Sequence, residues 1–173
     1  MKKIRYLIAV FMIIFASYSC KKIQQLPATP HIDFTSFTIF DTTDILGNIS
    51  KGGRLKFHFV DGDGDLGLNP PTTTSRTDST DLFLTLFRKK GGSMDSVPGL
   101  DPLLPSPALR IPFMERLGQN KILKGTISVT FIYQSYLPTD TIKYNFFIKD
   151  RALNESNVAS TSEIVLSVNK TYQ

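Results

Sequence analysis

RLKFHFVDGDGDLG, residues 54–67, joins two kinds of signal. Leu55, Phe57 and Phe59 alternate with Lys56 and His58, so one face is apolar and the other polar. A period of two is the mark of a half-buried β-strand. The strand then runs into Asp61, Asp63 and Asp65, separated by Gly62 and Gly64. The first half sets the fold class. The second poses the functional question, whether this loop holds a metal ion or is an acidic turn between two strands.

The same rhythm recurs along the chain. Ile32 and Phe34 share a face in IDFTSFTIF and, after a one-residue slip, Phe37 and Ile39 follow. Leu82, Leu84 and Leu86 line one face of the next strand, with Phe83 and Phe87 opposite, which predicts cover on both sides. Ile127, Val129 and Phe131 share a face, as do Ile142, Tyr144, Phe146 and Ile148, and Ile164, Leu166 and Val168 close the series. β-Branched and aromatic residues fill these runs, as strands prefer. No stretch after residue 20 shows a 3.6-residue period. The expected fold is all-β, a single immunoglobulin-like antiparallel β-sandwich of about seven strands over residues 32–173. Residues 68–80 and 89–112 break the rhythm, and the second holds five of the ten prolines. Loops this long are often functional or mobile. Leu100, Leu103 and Leu104 in it either pack over a sheet edge or form a partner-contact patch.

The first 19 residues read as a signal peptide. Lys2, Lys3 and Arg5 precede an apolar run, Tyr6 to Ala16, and then Ser17-Tyr18-Ser19 and Cys20. The run is shorter than the ~20 residues that span a bilayer; a permanent anchor helix is the alternative to cleavage. Cys20 is the chain's one cysteine, so no internal disulfide forms. The segment resembles a bacterial lipoprotein signal, in the loose small-residue-then-Cys form of Bacteroidetes-type lipoproteins. That resemblance implies that Cys20 becomes the acylated first residue. The usual Leu three positions before the cysteine is Ser17 here. Residues 20–31 then form a lipid-anchored tether, whose eleven residues after the cysteine reach at most ~35–40 Å. Three of the 20 basic residues lie in the signal; the other 17 face 15 acids, leaving +2. No basic stripe points to nucleic acid.

Three carboxylates this close repel one another, and a hard cation such as Ca²⁺, which takes 6–8 oxygens, relieves that repulsion. Gly62 and Gly64 let the backbone curl by adopting positive φ. The spacing starts like an EF-hand and departs from it: Leu66 stands at the glycine position and Thr72 at the bidentate glutamate. An Asx-type turn made for backbone reasons is the plain alternative. A second stretch, KDRALNESN (149–157), offers oxygens from Asp150, Asn154, Glu155 and Asn157. If Arg54–Val60, Leu82–Arg88, Thr141–Lys149 and Ser162–Val168 are strands B, C, F and G, the B–C and F–G loops share one end. Asp61, Asp63 and Asp65 then approach Asp150, unless Arg151 pairs with them in place of a metal.

FHFVDGDGDLG followed by YNFFIKDRALNESNVASTSEI resembles small immunoglobulin-like or cadherin-like domains of Bacteroidetes-type lipoproteins. The resemblance implies a lipid-anchored β-sandwich in a Gram-negative cell envelope, with Ca²⁺ held by Asp61, Asp63, Asp65 and Asp150. Lys21-Lys22 depart from the acidic residues that follow the cysteine in surface-exported members, which favours the periplasmic face.

Catalysis is not indicated. The two histidines are His31, in the tether, and His58, on a polar strand face, and no G-x-S-x-G, H-E-x-x-H or phosphate loop is present. A carboxylate-based hydrolase would need a pair of acids in a cleft. A sugar-binding module would need exposed aromatics, with Tyr133, Tyr136 and Tyr144 as candidates, Tyr144 lying on an apolar face. The expected role is a structural or interaction domain with an unknown protein or glycan partner.

Overall fold

In β7 (Thr141–Ile148), Ile142, Tyr144, Phe146 and Ile148 are buried and the residues between them are half-buried, so alternation in sequence becomes alternation in burial. The structure, a computed structural model, describes residues 26–69, 80–97, 105–115, 121–133 and 140–173. Cys20, the signal segment, the first part of the tether, Tyr136 and Leu100, Leu103 and Leu104 lie outside these residues. The other strands are β1 (His31–Thr43), β2 (Ile49–Asp61), β3 (Leu82–Lys90), β4 (Ser93–Ser96), β5 (Ala108–Leu109), β6 (Leu123–Tyr133), β8 (Ala159–Ser160), β9 (Ile164–Val165) and β10 (Thr171–Tyr172). There is no helix among the described residues.

The strands form an antiparallel β-sandwich. One sheet has the order β10-β1-β2-β6; the other runs β4-β3-β7-β8, with β5 on β3 and β9 on β7. The strands expected as B, C and F are β2, β3 and β7. The slip in β1 is real: its register against β2 shifts between Phe34 and Ser36. The closing strand expected over 162–168 is shortened to β9, Ile164–Val165, which pairs with β7. Ile164 and Leu166 are buried, but the Val168 amide donates to the Val165 carbonyl in a turn that leaves Val168 exposed. The chain then crosses to the first sheet, where Tyr172 pairs with Phe37.

Aromatic side chains join the sheets. Tyr144 stacks on Phe37 and Phe131 at centroid separations of 5.8 and 5.7 Å, and Phe57 meets Phe146 at 5.1 Å. Ile127 and Val129 of β6 are only half-buried, because they face an open apolar cleft of about 480 Å³ shared with Leu82, Leu109, Ile111 and Met114. On the outer face of β3, Phe83 stacks beside its cross-strand neighbour Phe147 at 5.0 Å and both stay half-buried, so among the described residues that face lacks the full cover expected of it.

Two pairings orient the strands. Lys51, early in β2, lies opposite Tyr133, and Asp61, at its end, lies opposite Leu123. The Tyr133 hydroxyl hydrogen-bonds the Tyr144 hydroxyl at 3.0 Å, near the start of β7. The ends of β2 and β7 therefore emerge together at the opposite end of the sandwich. Tyr133 is fully buried, so it is a core residue and not a sugar platform; burial pushes its hydroxyl pKa well up. Removing one hydroxyl leaves its partner buried without that bond. Tyr133→Phe and Tyr144→Phe should each destabilise by about 1–3 kcal/mol, and the double variant by less than their sum. Urea unfolding of all four proteins measures this cycle.

Candidate metal centre

Asp61 takes the inward position after Leu55, Phe57 and Phe59, so the strand's own alternation buries it completely. Asp150 does the same after Ile142, Tyr144, Phe146 and Ile148, and is 2% exposed. Two apolar rows thus each end in a carboxylate at the same end of the sandwich. One carboxylate oxygen from each of Asp61, Asp63, Asp65 and Asp150 lies within 4.8 Å of the other three. The loop convergence expected from strand order is present.

The loops are stitched together. The Ala152 amide donates to Asp65 Oδ2 at 3.1 Å and the Arg151 amide to the Asp65 carbonyl at 3.4 Å. Of the two glycines expected to curl the chain, only Gly64 does so, at φ 66°. Gly62 serves a different need. A Cβ there would collide with the carbonyls of Leu26 and Pro27, and its amide donates to the Pro27 carbonyl at 3.1 Å. The last residues of the expected tether are therefore packed onto the acidic loop.

One local device appears three times: an aspartate whose carboxylate accepts the amide four residues on, with a left-handed residue just before that amide. Asp44 Oδ1 accepts from the Asn48 amide at 2.9 Å, with Gly47 at φ 85°. Asp150 Oδ1 accepts from the Asn154 amide at 2.7 Å, with Leu153 at φ 68°. Asp61 Oδ2 accepts from the Asp65 amide at 2.9 Å and the Leu66 amide at 3.0 Å. In the first two turns the fifth residue is asparagine, and its Nδ2 donates to the aspartate's second oxygen at 2.9 and 2.8 Å. In the third it is Asp65, which has no such donor. Asp61 Oδ1 is left buried and without a hydrogen-bond partner, as is Asp65 Oδ1.

Burial, then the adjoining Asp63 carboxyl, push Asp61 up to about 6, against the Leu66 amide that favours the carboxylate. Burial and the charges of Asp150 and Asp63 raise Asp65, opposed by Arg151 and the Ala152 amide. Arg151 acts only from a distance. Its guanidinium donates to the carbonyls of Gly67 at 2.8 Å and Leu66 at 3.3 Å, and sits 4.9 Å from the Phe113 ring centroid.

The other expected oxygen donors work elsewhere. Glu155 pairs with Lys149 at 2.9 Å, and Asn157 bonds both the amide and the carbonyl of Ile32. His58 lies half-buried on β2, which places it away from the carboxylates at 61–65 along the strand. Asp81 was not singled out by its sequence context. It is buried, its Oδ1 accepts the Ile111 amide at 2.5 Å, its Oδ2 has no partner, and burial raises it to about 6. Nothing in its spacing marks it, because its burial comes from the distant segment at 109–111.

No family model matches the chain, and neither the curated proteins nor the solved structures contain a match.

The raised carboxylates set a pH dependence. The folded state holds more protons than the unfolded one between about 4, the ordinary aspartate value, and about 6. Stability should therefore fall as pH rises through that window and stay reduced above it. Urea midpoints of chelator-treated protein should be higher at pH 5 than at pH 7.5. A midpoint that rises over this interval contradicts the assignment.

Proposed function

We propose that this chain is a lipid-anchored cell-envelope protein whose non-catalytic β-sandwich is a structural or interaction domain holding one Ca²⁺ at its acidic end. The observation that carries the metal reading is Asp61 Oδ1, a fully buried carboxylate oxygen without a donor, grouped with three further carboxylates. A buried polar atom left unpaired costs roughly 1–3 kcal/mol, and a cation supplies what the loop lacks. Oxygens within 4.8 Å of one another fit around Ca²⁺, whose opposed ligands lie about 4.6–5.2 Å apart. Mg²⁺ holds opposed ligands at about 4.0–4.2 Å and demands stricter geometry. An all-carboxylate set, without histidine or thiolate, favours a hard cation. The anchor reading rests on the order of basic residues, apolar run and Cys20.

Thermal unfolding of residues 21–173 with millimolar Ca²⁺ and then with chelator tests the metal. At a hundredfold excess over Kd the stabilisation is about 2.7 kcal/mol, or about 5–10 °C for a chain of this size. Asp65→Asn restores the asparagine of the other two turns and supplies a donor for Asp61 Oδ1. It should raise the metal-free melting temperature and remove the Ca²⁺-dependent rise. Retention of the full rise in this variant would place the bound ion elsewhere.

The anchor has its own measurement. The full chain expressed in a Gram-negative host should incorporate labelled fatty acid and fractionate with membranes. Cys20→Ala should lose the label. Labelling that survives this substitution rules out Cys20 as the acylated residue.

A further inference from the structure

The end of the sandwich opposite the carboxylates has a contrasting surface. The turn between β1 and β2 projects Ile45, Leu46 and Ile49, which are 95%, 81% and 88% exposed. Large aliphatic side chains grouped in water mark a contact surface. The turn is also closed by hydrogen bonds. Asp44 Oδ1 accepts from the Leu46 and Asn48 amides, Asp44 Oδ2 accepts from Asn48 Nδ2, the Gly47 amide donates to the Asp44 carbonyl, and the Asp44 amide donates to the Asn48 carbonyl.

From this geometry we infer that the Asp44–Ile49 tip inserts into the surface of a lipid bilayer. The proposal rests on the tip and does not require the Cys20 anchor. Two observations suit a lipid surface. First, the amides of Asp44, Leu46, Gly47 and Asn48 all have partners inside the turn. Entering hydrocarbon is costly mainly for unpaired backbone groups, and these four are already paired. Second, the ion pairs of this end close on themselves: Lys51 with Asp41, Lys89 with Glu163 and Arg88 with Asp140. Among the described residues, Lys90, Lys143 and Lys170 then stand against Asp44 and Asp95, a positive balance that suits anionic headgroups. Ile45 and Leu46 at the apex, with basic groups behind them, match the shallow insertion of about 5–10 Å made by interfacial segments. Asp44 stays at headgroup level, where its charge remains solvated.

The test is vesicle co-sedimentation of residues 21–173, which lack the acylated cysteine and contain every described residue. Vesicles are phosphatidylglycerol with phosphatidylethanolamine, and phosphatidylcholine alone. The wild-type chain should bind both, the anionic vesicles more tightly. Combined Ile45→Ser and Leu46→Ser should lower the partition coefficient by at least about tenfold. Asp44→Ala frees the amides while leaving the aliphatic side chains, and should lower it several-fold. Ile45 and Leu46 are exposed, so an unchanged melting temperature confirms folding of the double serine variant, and an unchanged circular dichroism spectrum confirms the β-sandwich of Asp44→Ala. Absence of wild-type binding, or equal binding by wild type and the double serine variant, overturns the proposal, and the tip then belongs to a protein contact.

Discussion

Asp61 stands where two requirements meet. The alternation of β2 places its side chain on the core side of the sheet, and the loop that follows needs an acceptor for the amides of Asp65 and Leu66. One carboxylate oxygen answers the loop. The other is enclosed with no donor, near three more carboxylates. The penalty has two sources, an unsatisfied buried acceptor and repulsion between like charges in a poorly screened place. A proton or a cation relieves both. Proton and metal are thus competitors for one site, and the raised proton affinity of Asp61 reflects the same electrostatics that favour a cation.

The surrounding structure maintains this arrangement instead of cancelling it. Arg151 is a counter-charge close enough to act on Asp65, yet its donors reach around the loop to the Leu66 and Gly67 carbonyls and its guanidinium rests by Phe113. In that position it braces the loop from behind and lowers the Asp65 pKa only through space. Arg151 alone carries one charge against the four carboxylates, too few to neutralise them. Pro27 and Asn157 add support by binding the loop and the start of β1, so the carboxylates are held by four chain segments.

Much of this was legible in the residues. Period-two alternation survives in nearly every long strand because each has one face on the core. The slip near Thr35 appeared as a break in phase, and the structure has a register shift there. Strand order then placed residues 61–65 beside Asp150 without any knowledge of side-chain positions. What escaped depends on contacts between distant segments. Gly62 is glycine because the Pro27 carbonyl crosses it, not because of its own φ. Tyr133 looked available for a ligand until Tyr144 closed over it. Val168 kept phase with Ile164 and Leu166, but the chain had already turned toward β1. Asp81 lay hidden because the segment that buries it is far along the chain.

The three aspartate turns show why an acidic turn alone does not make a site. Asp44, Asp61 and Asp150 all accept the amide four residues on, and each turn has a left-handed residue before that amide. Turn chemistry is therefore constant. Asp44 is half-buried in a surface turn, and its hydrogen bonds, led by the Asn48 side chain, hold its pKa below the ordinary value. Asp61 lies on the inward row, its fifth residue is an acid, and its pKa moves the opposite way. Asp150 shares the burial but keeps its asparagine, so both its oxygens have donors. Burial without the asparagine occurs only at Asp61 among these three. That combination, more than the count of aspartates in the loop, separates a candidate cation ligand from a structural turn.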